Sequence, residues 1–183
     1  ESTTNWNNAY NYARRSTSSL LPDMFGGLGT SLAWKGFDFS IQTSFQLGGD
    51  IFDSGCQTLM DTSNGFTAGQ NWHKDILKSW TPTNTHTDVP RADNVDNYAN
   101  SISDRFLISS DYFSIDNITL GYTLPKSVTA KIGIEALRVY FAADNVALFS
   151  ARQGLDPRLG IVSASTSFYT SRRSLTGGIK LTF

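Results

Sequence analysis

The sequence predicts an all-β chain, an antiparallel segment of a transmembrane β-barrel with long extracellular loops. Three observations predict it. Phe37 to Leu47 alternates apolar and polar side chains for eleven residues, which matches the ~9–11 residues a tilted strand needs to cross a bilayer. Charged residues are 17% of the chain while aromatics reach 13%, against roughly 25% charged in ordinary soluble domains. The connections between strand-like stretches run long, short, long, short, long, the asymmetry of barrels with short turns on one side of the membrane and long loops on the other.

Residues 1–24 are polar and irregular, and Leu20-Leu21-Pro22-Asp23 reads as a turn. The first strand is expected over 27–35, with Leu28, Thr30, Leu32 and Trp34 on one face. Lys35-Gly36 is a tight-turn signal. The second strand, 37–47, turns Phe37, Phe39, Ile41, Thr43, Phe45 and Leu47 one way and Asp38, Ser40, Gln42, Ser44 and Gln46 the other. Residues 48–110 form a long loop rich in Asn, Asp, Thr and Gly, too long for a compact soluble domain but suited to the extracellular side of a barrel. Within it, Trp72, Ile76 and Trp80 recur every four residues, which predicts a short helix over 71–80, capped by Asn71 and ended by Thr81-Pro82.

The third strand is expected over 112–124, with Ile118, Leu120, Tyr122 and Leu124 on one face. Phe113 and Ile115 fall on the wrong side, so a bulge, or a strand that emerges above the membrane, is expected before Asn117. Pro125 to Ile134 is a short connection. The fourth strand, 137–149, sets Leu137, Val139, Phe141 and Ala143 on one face, with a phase change near Asp144-Asn145 that would bring in Val146 and Leu148. Residues 150–167 form a loop. The last strand, 173–183, alternates Leu175, Gly177, Ile179, Leu181 and Phe183 with Ser174, Thr176, Gly178, Lys180 and Thr182.

No run approaches the ~20 apolar residues of a membrane helix. A single cysteine, Cys56, excludes an internal disulfide, and a net charge of −1 leaves no nucleic-acid footprint. There is no signal peptide and the chain opens on Glu1, so a mature fragment, or the tail of a longer protein, is expected.

Thr176, Gly178, Leu181 and Phe183 fit polar-x-Gly-x-x-apolar-x-aromatic, which resembles the terminal assembly signal of bacterial outer-membrane barrels. A wider resemblance runs from about Leu21 to the end. It is carried by Pro22-Asp23-Met24-Phe25-Gly26-Gly27, Trp34-Lys35-Gly36-Phe37-Asp38-Phe39-Ser40, Gly48-Gly49-Asp50-Ile51-Phe52 and Trp80-Thr81-Pro82. Ser103-Asp104-Arg105-Phe106, Ile118-Thr119-Leu120-Gly121-Tyr122, Asp144-Asn145-Val146 and Gly154-Leu155-Asp156-Pro157-Arg158 follow in order. In this order and spacing the chain resembles the C-terminal barrel of SusC/RagA-type TonB-dependent transporters. The resemblance implies a barrel of about 22 strands around a plug domain. It also implies an outer-membrane location in Bacteroidota, a SusD-like surface lipoprotein as lid, energy from TonB through the plug, and import of a nutrient such as an oligosaccharide or a peptide. The plug and most strands are absent from these residues. Five strands cannot close such a barrel, and lipid does not tolerate open sheet edges, so the remaining barrel must pair with them.

No enzyme constellation is present. His73 and His86 stand apart in a polar loop and read as surface histidines. Asp88, Asp93 and Asp96 offer carboxylates for Ca²⁺ but lack the spacing of a Ca²⁺ loop, so no cofactor is expected. Asn117-Ile118-Thr119 matches a glycosylation sequon but lies in a strand, where it reads as chance. Trp72, Trp80 and Tyr98 are the candidates for substrate contact; the alternative for the two tryptophans is packing within their own loop. Asp38, Gln42, Gln46, Asn117 and Lys180 are expected to face the lumen, and Trp34 and Tyr140 are candidates for the aromatic belts at the membrane interfaces. Two other readings are a soluble β-sandwich carbohydrate-binding module, which would need a closed apolar core, and an outer-membrane barrel enzyme.

Overall fold

Successive Cβ atoms of a strand point to opposite faces, so the pairing register decides which side chains share a face. The computed structural model describes residues 18–62, 69, 71–93, 101–152, 154–159 and 170–183. These fall into two units. One is built from Leu21–Gly49 with the described parts of Ser109–Leu159 and Tyr169–Phe183; the other centres on the described part of Asp50–Ile108.

The first unit is a five-stranded antiparallel sheet in the order β1-β2-β5-β6-β7. β1 runs Met24–Trp34 and β2 Phe37–Leu47. β5 runs Tyr112–Thr123, β6 Ala136–Ser150 and β7 Ser174–Thr182. The first strand thus begins three residues before the expected 27 and stops at Trp34. Lys35 and Gly36 leave it because both take left-handed conformations, φ 48° and 88°, and close a two-residue hairpin. The last strand occupies 174–182 rather than 173–183, with Phe183 exposed beyond it. The third ends at Thr123, and the fourth extends to 136 and 150.

Register lines the strands into rows. Three apolar rows cross all five: Trp34–Phe37–Tyr122–Val139–Ile179, Leu32–Phe39–Leu120–Phe141–Gly177 and Thr30–Ile41–Ile118–Ala143–Leu175. The same face carries Thr43, Ile115 and Ala147, then Phe45, Phe113 and Phe149. Apart from Ala143, at 8%, these side chains are not buried: Leu28 is 68% exposed, Leu120 50% and Ile179 67%. A sandwich would bury that face. The opposite face carries polar rows such as Gly29–Gln42–Asn117–Asp144–Ser174 and Ser31–Ser40–Thr119–Ala142–Thr176.

The expected bulge is present at Asp116. Between Asn117 and Ile115, β2 advances one residue, from Gln42 to Thr43, while β6 advances three, from Asp144 to Ala147. The skipped residue in β5 returns Ile115 and Phe113 to the apolar face. The phase change expected in β6 does not occur. Asn145 turns left-handed at φ 50° and is accommodated with Val146 as a bulge, so Ala147 and Phe149 keep the parity of Phe141 and Ala143. Val146 and Leu148 do not join that face. Among the described residues, β1 pairs with β2 alone and β7 with β6 alone, so each has one edge without a partner.

The short connection between β5 and β6 holds one α-helical turn, α2 (Lys126–Thr129), and a 3₁₀ turn, Ala130–Ile132. The 150s loop ends in a 3₁₀ turn, Pro157–Leu159.

The second unit has its own small core. β3 (Asp50–Phe52) pairs with β4 (Leu107–Ser109). Buried Asp53 caps α1 (Ser54–Met60), its carboxylate accepting from the Cys56 N–H at 2.8 Å. Ile51, Met60 and Phe106 are buried, and the rings of Phe52 and Phe106 meet edge to face at 6.1 Å. The helix expected over 71–80 is one 3₁₀ stretch, Lys74–Lys78, capped by His73 rather than Asn71. With three residues per turn, a four-residue spacing of Trp72, Ile76 and Trp80 does not stay on one face.

Candidate functional site

The polar face of the sheet gathers the chemistry in two places. The first is a knot around Arg158. The chain leaving β6 doubles back: Ser150 Oγ lies 3.1 and 2.9 Å from the carbonyls of Arg152 and Leu155, which share its one O–H. Pro157 then opens a 3₁₀ turn, where its fixed φ and missing N–H cost nothing. Asp156 and Arg158 stand on either side of it and lock as a bidentate pair, Nε and Nη2 donating to Oδ1 and Oδ2 at 2.8 Å each, and the Arg158 N–H donates to Oδ1 at 3.1 Å. The remaining nitrogen, Nη1, donates to Ser114 Oγ at 3.0 Å and lies 3.6 Å from Asp116 Oδ1. Ser114 Oγ in turn donates to Asp116 at 2.6 Å. Asp116 is thus the carboxylate that the bulge adds to this face. Ser114 is fully buried and Asp156 is 5% exposed.

Burial pushes the Asp156 carboxyl up, but the hydrogen bonds and charge of Arg158, with a backbone bond from Ser171, outweigh it and hold its pKa below the usual carboxylate range. Asp156 in turn raises the Arg158 guanidinium against the opposing effect of burial. A folded-state pKa below the unfolded value gives stability that is complete above about pH 4 and disappears as pH falls through the lowered value. We therefore expect backbone amides of 154–159 to keep constant hydrogen-exchange protection from pH 7 to about pH 4 and to lose it below. Asp156→Asn should remove that acid step; a step that survives the substitution would refute the assignment.

The second place lies at the turn end of the sheet. Arg138 of β6 reaches over Gly121 of β5 to Asp38 of β2. Its Nε donates to Asp38 Oδ1 at 2.9 Å and its Nη2 to Oδ2. Its guanidinium also lies 5.3 Å from the Tyr140 ring centre. Tyr140, a candidate belt residue, instead shares the polar face, and its ring lies over Gly178 of β7: a Cβ there would stand 2.5 Å from the ring. Trp34 is on the apolar face beside the Lys35-Gly36 turn, 69% exposed.

The sequence candidates distribute as follows. Asp38, Gln42, Gln46, Asn117 and Lys180 all share the polar face. Asp38 is taken by Arg138. Gln46 donates to Ser110 Oγ at 3.0 Å, and Asn117 donates to Asp144 at 2.7 Å. Lys180 lies opposite Arg138. Thr176, Gly178 and Leu181 lie in β7 opposite Ala142, Tyr140 and Leu137, and Phe183 follows that strand. In the other unit Trp80 is 39% exposed and its backbone N–H donates to the Val89 carbonyl at 2.9 Å, while Trp72 is half-buried. Tyr98 and Asp96 lie outside the described residues. Among the described residues no group of three or more His, Cys, Asp or Glu is placed to hold a metal ion.

Beside the Arg158 knot a cleft of about 550 Å³ opens between β6 and the segments around Asp156 and Arg173. Arg173 borders it and donates to the Val146 carbonyl at 2.6 Å. Arg158, Arg138 and the Tyr140–Gly178 contact escape a reading of spacing alone. The only sequence trace of the knot is the coincidence of an Asp-Pro-Arg turn with an extra acidic residue at the broken phase of a strand.

No protein-family model matches the chain. Two TonB-dependent receptors of Formosa agariphila are similar to it. Receptor P3 is 32% identical over 136 residues, 74% of this chain and 13% of that receptor. Receptor P26 is 23% identical over 175 residues, 90% of this chain and 17% of that receptor. Among solved structures, the RagAB peptide importer is similar in its closed-closed state with a TM-score of 0.75 and 27% identity, over 92% of this chain and 18% of that one. Its open-open state gives 0.74 and 26%, over 91% and 18%. These relatives are receptors and importers, not enzymes, and the chain spans less than a fifth of their length.

Proposed function

The chain belongs to the SusC/RagA-type TonB-dependent receptors as a stretch of their barrel wall, and from that we propose a role in TonB-driven import of a nutrient across the outer membrane. One observation carries the reading furthest: the apolar face is continuous across five strands, is exposed, and backs onto a wholly different polar face. Lipid is the solvent that such an outer face fits, and a wet lumen fits the inner one. In this reading the Lys35-Gly36 and Pro125–Ile134 connections are periplasmic, and residues 48–110 and 150–167 are extracellular. Asp38, Gln42, Gln46, Asn117 and Lys180 line the lumen. The partners are the rest of the barrel and plug, TonB acting through the plug, and a SusD-like surface lipoprotein. The cargo is an oligosaccharide or a peptide, the latter supported by the likeness to the RagAB peptide importer. Trp72, Trp80 and Tyr98 offer ring faces and neighbouring polar groups to it. Thr176, Gly178, Leu181 and Phe183 serve as the assembly signal.

The test is deletion of the receptor that carries this segment, followed by growth on peptides or on oligosaccharides as sole nutrient. We expect loss of growth on one class, restored by the intact gene and not by a receptor lacking its TonB-contacting segment. The receptor should also be extracted only by detergent, together with its lipoprotein. Unchanged growth on both classes, or recovery of the folded polypeptide in aqueous buffer, would overturn the proposal.

A further inference from the structure

Alternation of apolar and polar residues specifies strand register only in part. A slip of one residue turns the apolar face inward and is excluded, but a slip of two leaves every side chain on its own face. β7 shows the ambiguity plainly. Sliding it by two would still put Leu175, Gly177, Ile179 and Leu181 outward. Something on the polar face must choose among the allowed registers.

We propose that Tyr140 on Gly178, and the Asp38–Arg138 pair over Gly121, are the register-setting contacts of this wall, so that these two glycines are seats that exist at only one register. They lie in one row, Ala33–Asp38–Gly121–Tyr140–Gly178, across all five strands. At Gly178 a Cβ would meet the Tyr140 ring at 2.5 Å, and at Gly121 it would meet Arg138 Nη2 and both Asp38 oxygens at 2.5 Å. Neither glycine has a positive φ, so backbone conformation is not what requires them. The space above them does: at Gly178 the Tyr140 ring fills it, and at Gly121 the ends of the Arg138 and Asp38 side chains fill it for as long as they stay paired. The neighbours complete the argument. The other polar-face residues of β7 are Ser174, Thr176, Lys180 and Thr182, so a slip of two puts Thr176 or Lys180 beneath the Tyr140 ring. On β5 a slip of two puts Thr119 or Thr123 beneath the Asp38–Arg138 bridge. Each slipped register loses an aromatic ring packed on bare backbone, a recognised way of compensating a strand glycine, or a bidentate ion pair.

The test is disulfide trapping in the full receptor assembled in outer membranes, with Cys56→Ser as background. Leu137→Cys with Leu181→Cys reports the native register, in which these two positions are directly opposed. Leu137→Cys with Ile179→Cys reports the slip that puts Thr176 beneath Tyr140, and Leu137→Cys with Phe183→Cys the slip that puts Lys180 there. With Tyr140 and Gly178 intact, only the native pair should trap. Tyr140→Ala removes the ring but leaves the seat, and we expect the native-to-slipped ratio to fall about fivefold or more. Tyr140→Phe should keep the native ratio. Gly178→Thr should lose the native trap, and Tyr140→Ala in the same receptor should recover it in part. If Tyr140→Ala traps only the native pair, or Gly178→Thr traps it as well as the parent does, register is set elsewhere and the proposal fails.

Discussion

Arginine in place of Leu120 is expected to destabilise the assembled receptor by about 2–4 kcal/mol if the site lies near the bilayer midplane, and by less toward the interfaces. Leu120 sits in the row Leu32–Phe39–Leu120–Phe141–Gly177 and is half exposed on the apolar face. The row beyond it, through Ile41 and Ile118, is close to the middle of β2. The cost should therefore rise from Tyr122→Arg through Leu120→Arg to Ile118→Arg. Thr119→Arg lies one residue along, between Ser40 and Ala142 on the polar face, and should cost no more than about 1 kcal/mol, since the charge stays in water. Unfolding by urea in lipid vesicles reads all four. Equal costs at 119 and 120 would refute the face assignment.

The second large effect is expected at Arg158. Arg158→Met keeps much of the side-chain volume but leaves Asp156 and Ser114 buried without the guanidinium, Asp156 keeping only its backbone donors. Breaking a buried pair by removing one partner costs about 3–5 kcal/mol. The Arg158 side chain is 21% exposed and Asp116 36%, so the low end, about 3 kcal/mol, is the expected value. Arg158→Lys should recover little, because a single ammonium cannot reproduce a fork that binds both Asp156 oxygens and still reaches Ser114. Full recovery by lysine, or a cost below about 1 kcal/mol for Met, would mean that the knot is a solvated pair.

The five strands were legible because a barrel wall imposes one rule, alternation, on every residue of a strand. Phe37–Leu47 shows it with Thr43 as its one exception. The break before Asn117 was legible too, because Phe113 and Ile115 violate the rule locally. What the break does to the neighbouring strand was not legible. Val146 and Leu148 looked like a new apolar phase, whereas Ala147 and Phe149 hold the old one. The difference depends on the left-handed turn at Asn145, and apolar pattern alone does not separate the two choices. The contacts of the polar face were hidden for a related reason. Arg138 and Asp38 are one hundred residues apart, and only a known register brings them over Gly121. Tyr140 looked like a belt residue because tyrosines favour interfaces, yet which face it takes follows from its position opposite Gly178. The short helix over 71–80 failed because the stretch is held by local bonds. His73 Nδ1 accepts from the Asp75 N–H at 3.3 Å, and Ser79 Oγ donates to the Ile76 carbonyl at 2.7 Å.

The edge of β1 that has no partner among the described residues bears on the life of the polypeptide before it is assembled. Exposed strand edges invite unwanted pairing, and proteins commonly blunt them with charge or proline. From Met24 to Trp34 there is neither. Until the adjacent strand docks, this edge is a template for aggregation, and nothing in its own side chains repels another copy. Safe transit then depends on escort by chaperones and on the speed with which the neighbouring strand arrives, so the hazard is a matter of timing rather than of final stability.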